Sequence, residues 1–276
     1  MGVILADGLT GNAVATNRPL SDAEFGLLQH YIDAIMEKIA AENFSLVIET
    51  DFSGLMQFLE DIGSPLRNPT FDPDWSDLSH DAFWLRVIDK NGMTVACHAE
   101  RLFDVDNFHD LVASGRLWHR HGLKWGGERV PELKVNRIPL DIRGRVAHAG
   151  SMWIRPPARK RGLSLYLPYL SRALCLRNYE AAYLCGFVLE SLAGSAVPKI
   201  AYGFPHMEPY LSGWFPPTRR HEEVVYLCYQ SRVEGVERFY ELPIHPHFPV
   251  PGPNEPAQAG ASDLEIGKRS RVDANH

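Results

Sequence analysis

No Cys-x-x-Cys pair occurs in this chain, and its four cysteines, Cys97, Cys175, Cys185 and Cys228, are scattered through apolar segments. That spacing speaks against a zinc site or a disulfide framework and for reduced, buried thiols in a reducing compartment. No apolar run approaches the length of a membrane span, so no membrane partner is expected. The opening Met1-Gly2-Val3-Ile4-Leu5-Ala6 has neither the basic region of a signal peptide nor the Ser or Thr of a myristoylation signal, and a cytoplasmic location is the expectation. A net charge of -6, with no basic stripe outside 155–161, argues against nucleic-acid binding. Several catalytic signatures are missing too. No Gly-Lys-Ser/Thr follows a glycine-rich turn, no three-glycine dinucleotide fingerprint appears, and no Gly-x-Ser-x-Gly marks a serine hydrolase. The pair His119-x-His121 lacks Cys or carboxylates at ligand spacing, and His206 with Glu208 and His245-x-His247 are no stronger signals, so no metal is expected.

What is present is an ordinary globular composition, 45% hydrophobic and 22% charged over 276 residues. Its informative stretch runs from Ala147 to Asn178. Ala147 to Ile154 is small and apolar and ends in Met-Trp-Ile, as a buried strand does. Pro156-Pro157 must end that strand, because proline cannot donate to a ladder. Arg159-Lys160-Arg161-Gly162 then brings three cations and a glycine to the start of a helical run. A helix N-terminus carries unpaired N–H groups and partial positive charge, and a glycine lets an anion approach the backbone. These residues predict a phosphate or pyrophosphate site.

The pattern Ile154-x-Pro156-x-x-Arg159-x-x-Gly162-x-Ser164 resembles the acyl-CoA pyrophosphate loop of the GNAT superfamily of acyl-CoA N-acyltransferases, with serine where that family has Gly or Ala. The element order agrees. A capping box at Ser21-Asp22-Ala23-Glu24 starts a helix to about Ala41; Ser45 to Thr50 reads as a strand and Ser53 to Ile62 as a helix. Gly63 to Ser79 reads as a loop. Phe83 to Ile88 and Met93 to Phe103 form a hairpin through Asn91-Gly92, and Asp106 to Leu117 is a helix. After an irregular stretch come the motif strand, its helix, a strand at 181–189, a short helix limited by Pro198, a Pro-rich turn after Phe204, and a strand at 223–231. The expected fold class is therefore α/β (α+β) with a mixed sheet. The resemblance implies that the sheet is mostly antiparallel, splayed into a V and flanked by helices.

Three divisions are expected: an N-terminal segment and helix over 1–43, one acetyltransferase-like domain over 44–244 with an insertion at about 105–145, and a disordered tail over 245–276. The apolar run at 223–231 reads equally as an internal strand or as an edge pairing with a second copy in a homodimer.

The resemblance further implies acetyl-CoA or another acyl-CoA as cofactor and a small-molecule amine as acceptor, attacking the thioester directly. It places the cofactor against Met152, Ile154, Arg159, Lys160, Arg161, Gly162, Leu163 and Ser164. Candidates for proton transfer are Glu100, which shares a strand face with His98, His148 at the start of the motif strand, Tyr202 before Gly203-Phe204, and Glu190 at the end of the next strand. The family's usual acid tyrosine sits earlier, where this chain has Pro198 or Lys199. Two other readings are an acyltransferase using a longer acyl-CoA or an acyl carrier protein, and a non-catalytic acyl-CoA-binding module.

Overall fold

The computed structural model describes residues 18–64, 67–122, 124–125, 128–129, 133–138, 141–195, 197–217 and 220–241. The capping box forms as its residue types dictate: Glu24 N–H donates to Ser21 Oγ, and the Glu24 carboxylate accepts from Ser21 N–H, starting α1 (Asp22–Ala41). β1 (Ser45–Glu49), α2 (Ser53–Asp61), β2 (Ala82–Ile88) and β3 (Thr94–Val105) follow as the periodicity predicts. Asp89 orders the β2–β3 turn by accepting from Asn91 N–H and Met93 N–H, and Gly92 supplies its positive φ of 78°.

The stretch between β3 and the motif strand holds α3 (Phe108–Ala113), shorter than the predicted 106–117 helix, then a small ribbon of β4 (Lys124–Trp125) and β5 (Glu128–Arg129), and β6 (Leu133–Val135). The centre consists of β7 (Gly144–Ile154), α4 (Leu163–Tyr179) and β8 (Tyr183–Leu189). The predicted helix at 191–200 divides into two short pieces, α5 (Glu190–Ala193) and α6 (Val197–Ile200).

Two elements depart from the sequence reading. The stretch taken as a Pro-rich turn contains a ten-residue strand, β9 (His206–Phe215), and a helix, α7 (Arg232–Glu241), follows β10 (Arg220–Ser231). Pro209 is tolerated in β9 because the β9–β10 register is irregular beside its partner, Tyr226. The expected tail over 245–276 lies outside the described residues.

One mixed sheet runs in the order β1-β2-β3-β7-β8-β10-β9-β6. Every neighbouring pair is antiparallel except β7–β8, the central crossover through α4. β10 is internal, between β8 and β9, so it offers no edge to a second copy. One sheet face is covered by α1, α4 and α7, whose Leu28, Ile35, Leu167, Leu170 and Phe239 are buried in a single cluster with Ala147 and Leu184. The other face has two covers. α2 and Phe71 pack over β2 and β3, while Phe108, Val112 and Trp118 of the stretch between β3 and β7 pack over β7 to β10. All four cysteines are free and buried.

Candidate active site

The central pair of strands separates soon after it forms. β7 pairs with β8 only from Val146 to Ala149, opposite Tyr183 to Gly186. Beyond that, β7 stays on β3 as far as Ile154, while β8 stays on β10 as far as Leu189. A bulge drives the parting: one extra residue of β7 is accommodated between Gly150 and Trp153 opposite Cys97 to Ala99, and Ser151 takes a φ of 47°. From Gly150 to Ile154 the inner edge of β7 has no strand beside it, so its backbone polar groups face the gap.

At the end of β7, Pro156–Ala158 forms a 3-10 turn. Lys160 (φ 64°) and Gly162 (φ 79°) then turn the chain into α4. A Cβ on Gly162 would lie 2.6 Å from the Tyr166 ring, so only glycine fits there. α4 has no side-chain cap and no acid in its first turn, which leaves its leading N–H groups and partial positive charge open. The three cations divide. Arg159 Nε donates to the Ile154 carbonyl (3.1 Å), bracing the strand end. Arg161 turns to the end of α1, donating to the Glu42 carbonyl (3.2 Å) and lying over Phe44 (5.1 Å). Lys160 is exposed beside the helix start.

A cavity of about 260 Å³ occupies the gap, lined by residues 150–153 of β7 and 187–189 of β8. Its lining comes from both faces of the sheet. On the α4 side it meets Pro168, Ser171, Arg172, Leu192, Tyr202 and Phe204; on the other it meets Leu59, Asn68, Phe187, Phe215 and Pro217.

Glu100, His148 and Tyr202 all line this cavity, from different sides. Glu100 is fully buried on the α4 face of β3, where its carboxylate accepts from Ser171 Oγ (2.7 Å) and lies 3.4 Å from His98 Nε2. His148 pairs across the ladder with Arg101, one residue out of step with Glu100 and Ala149, so its side chain lies on the opposite face. There Phe71 stacks on it (6.1 Å between centroids) and Phe187 meets it edge-on (5.0 Å). Burial in this aromatic surround, with Arg101 nearby, pushes the imidazole down to about 3, so it is neutral at ordinary pH. Tyr202 is half-buried and packs against the α4-side cluster; burial raises its phenol, which stays protonated. Glu190 is exposed at the start of α5.

Sequence reasoning passed over Ser171, Arg172 and Asn68. A signal existed for two of them, since Pro168-x-x-Ser171-Arg172 places a proline, a hydroxyl and a cation in the middle of an otherwise apolar helix. Asn68 had none, because its position depends on how the loop folds. Among the described residues no group of three or more His, Cys, Asp or Glu could hold a metal, and no helix is long and apolar enough to cross a membrane.

A mixed sheet opened at its single parallel pair, followed by an uncapped glycine turn into a helix, is the arrangement that the pyrophosphate-loop resemblance implies. No family model and no curated protein matches the chain. Among solved structures it is similar to spermidine N-acetyltransferase from Vibrio cholerae in complex with CoA and spermine, at 9% identity over 69% of this chain and 98% of that one, TM-score 0.41. It is also similar to Arabidopsis thaliana NAA60 in complex with acetyl-CoA (11% identity, 68% and 99% covered, TM-score 0.43). A third is the ribosomal-protein-S5-alanine acetyltransferase from Vibrio fischeri (10% identity, 69% and 93% covered, TM-score 0.39).

Proposed function

We propose that the chain is an acyl-CoA-dependent N-acyltransferase acting on an amine of a small, largely apolar acceptor. One observation carries the reading: a cavity at the strand splay, lined from both sheet faces and joined by the free edge of β7 to an uncapped helix start. The residues present fit the cofactor. Leading N–H groups at Gly162, Leu163 and Ser164, with Arg159 and Lys160 alongside, suit a pyrophosphate. Arg161 serves the fold first, through Glu42 and Phe44. The free edge of β7 from Met152 to Ile154, where Arg159 already holds the Ile154 carbonyl, suits the amides of a pantetheine arm. When bound, an acyl-CoA supplies an activated carbonyl, whose C–S bond breaks as the amine forms a C–N bond and the sulfur takes up the amine's proton.

The chain's own groups divide the work by sheet face. The mouth away from α4 is walled by Leu59, Phe187, Phe215 and Pro217, with Asn68 as a polar exception, and this composition suits an apolar amine better than a polycation. His148 faces that mouth. Its Nδ1 lies 3.7 Å from Cys185 Sγ; in the tautomer with the proton on Nδ1, Nε2 accepts a hydrogen bond from an incoming neutral amine and orients it. Tyr202, on the α4 side, holds a proton that it can donate at the departing sulfur. Glu100 stands across the sheet from His148, so the two do not act as a pair.

Calorimetric titration with acetyl-CoA and free CoA, on the wild type and on Ser164→Asp, tests this reading. Ser164 is exposed in the first turn, where an aspartate favours the helix but occupies the anion site. Micromolar binding, weakened roughly tenfold or more by a variant that melts no lower than wild type, is the expected result. A chain that binds neither ligand is not an acyl-CoA enzyme.

A further inference from the structure

On the α4 side the cavity meets a buried polar chamber that an acetyl group would leave unused. Its residues are His98 and Glu100 on β3 and Ser171 and Arg172 on α4. The Pro168 carbonyl, one turn earlier on the helix, fixes the last two by accepting from Ser171 Oγ (3.2 Å) and Arg172 Nε (2.9 Å).

Arg172 is only 3% exposed. Its guanidinium lies over the rings of Tyr169 (4.4 Å) and Phe204 (5.1 Å), which hold its plane without neutralising its charge. A Cβ at Gly203 would lie 2.4 Å from Tyr169 Oη and 3.0 Å from Arg172 Nη1, so the glycine lets the chain pack closely against both side chains. Nη2 has no hydrogen-bond partner. Glu100 gives its Oε1 to Ser171. A buried cation with an unused donor is costly, and such groups are retained where a ligand completes them. The planar fork of arginine matches a carboxylate.

Resting on the acyltransferase reading above, we propose that this chamber receives the far end of the acyl group and selects a short acyl chain ending in a carboxylate. Arg172 meets the incoming carboxylate through its unpartnered Nη2, while Glu100, held by Ser171 Oγ, stands 3.4 Å from His98 Nε2.

The test is titration of the full chain with free CoA, acetyl-CoA, butyryl-CoA and succinyl-CoA, repeated on Arg172→Gln and on Ser171→Ala. A charge-assisted hydrogen bond corresponds to roughly 10- to 100-fold in affinity. Succinyl-CoA is expected to bind wild type by about that factor more tightly than butyryl-CoA. Arg172→Gln should remove the preference and leave free CoA affinity unchanged. Wild type alone decides the matter if either variant fails to fold. Equal affinity for all thioesters, or a preference for acetyl or butyryl, overturns the chamber while leaving the acyltransferase standing. Failure of free CoA and every thioester to bind overturns both.

Discussion

Gly150→Ala is the substitution that most directly tests how the splay is built. Gly150 sits at the bulge of β7, on the face away from α4, and an added Cβ would lie 2.5 Å from Phe71 Cε2 and 3.2 Å from Asn68 Nδ2. Carbon atoms in contact settle at about 3.5–4.0 Å, so the Phe71 ring would have to retreat by roughly 1 Å. It has nowhere to go. Phe71 is fully buried and sandwiched, stacked on His148 at 6.1 Å and on Phe52 at 6.4 Å. Overpacking of this kind costs about 1–3 kcal/mol, which for a domain of this size lowers Tm by roughly 2–4 °C per kcal/mol. Thermal unfolding followed by circular dichroism measures the loss. Phe71→Leu in the same background separates the clash from other effects, because a smaller side chain relieves the alanine while opening its own cavity. The two changes should therefore couple favourably, by at least about 0.5 kcal/mol. If Gly150→Ala melts with the wild type, or if the two substitutions simply add, the packing argument is wrong.

Three further outcomes follow from the structure. His148 is held neutral in the folded state down to about pH 3, whereas an unfolded histidine takes up a proton near its ordinary value, so its contribution to stability falls away as pH drops from about 6.5 towards 3. His148→Phe should flatten the acid limb of a plot of Tm against pH, and an unaltered limb would show that the ring is not buried neutral. The Arg18 guanidinium lowers the Glu24 carboxyl to about 2, so the stability it adds is present above about pH 4.5 and is lost as pH falls through 2; Glu24→Gln should lower Tm at pH 7 and converge with wild type in strong acid. Ser231→Ala removes the cap that links Ser231 and Glu234 at the start of α7 and should cost about 1 kcal/mol in urea unfolding, with no change in m-value.

How far the sequence disclosed this depended on whether a signal was local. α1, α4 and the β2–β3 hairpin were legible because capping, periodicity and an Asn-Gly turn are short-range codes. Ser231-x-x-Glu234 is the same code, present but passed over, and it would have placed α7. β9 was obscured by Pro209 and Gly213, which mimic a turn unless the bulge beside β10 is known. Within the site, the loop and the strand before it were legible as a motif. That Glu100 and His148 line one cavity from opposite faces was not, because it depends on the register of β3 against β7 and on a bulge that no residue type announces. The partition of the cations was equally hidden: Arg161 looked like its neighbours until Glu42 and Phe44, far earlier in the chain, were placed beside it.

The stretch between β3 and β7 also has a mechanical role. The two halves of the sheet are joined along their shared seam by only the short β7–β8 ladder, which alone would make a soft hinge. This stretch leaves β3 in one half, buries Phe108 and Trp118 against β8 to β10 in the other, adds β6 to the far edge and returns to β7. Halfway along, the Trp118 carbonyl accepts from Ser76 and the Trp75 carbonyl accepts from Arg120 N–H, lashing this strap to the loop over the first half. The cleft is therefore held at a set width before anything enters it. A ligand meets a rigid slot and loses less ordering entropy than it would in closing a hinge, and the width of that slot becomes a property of the strap.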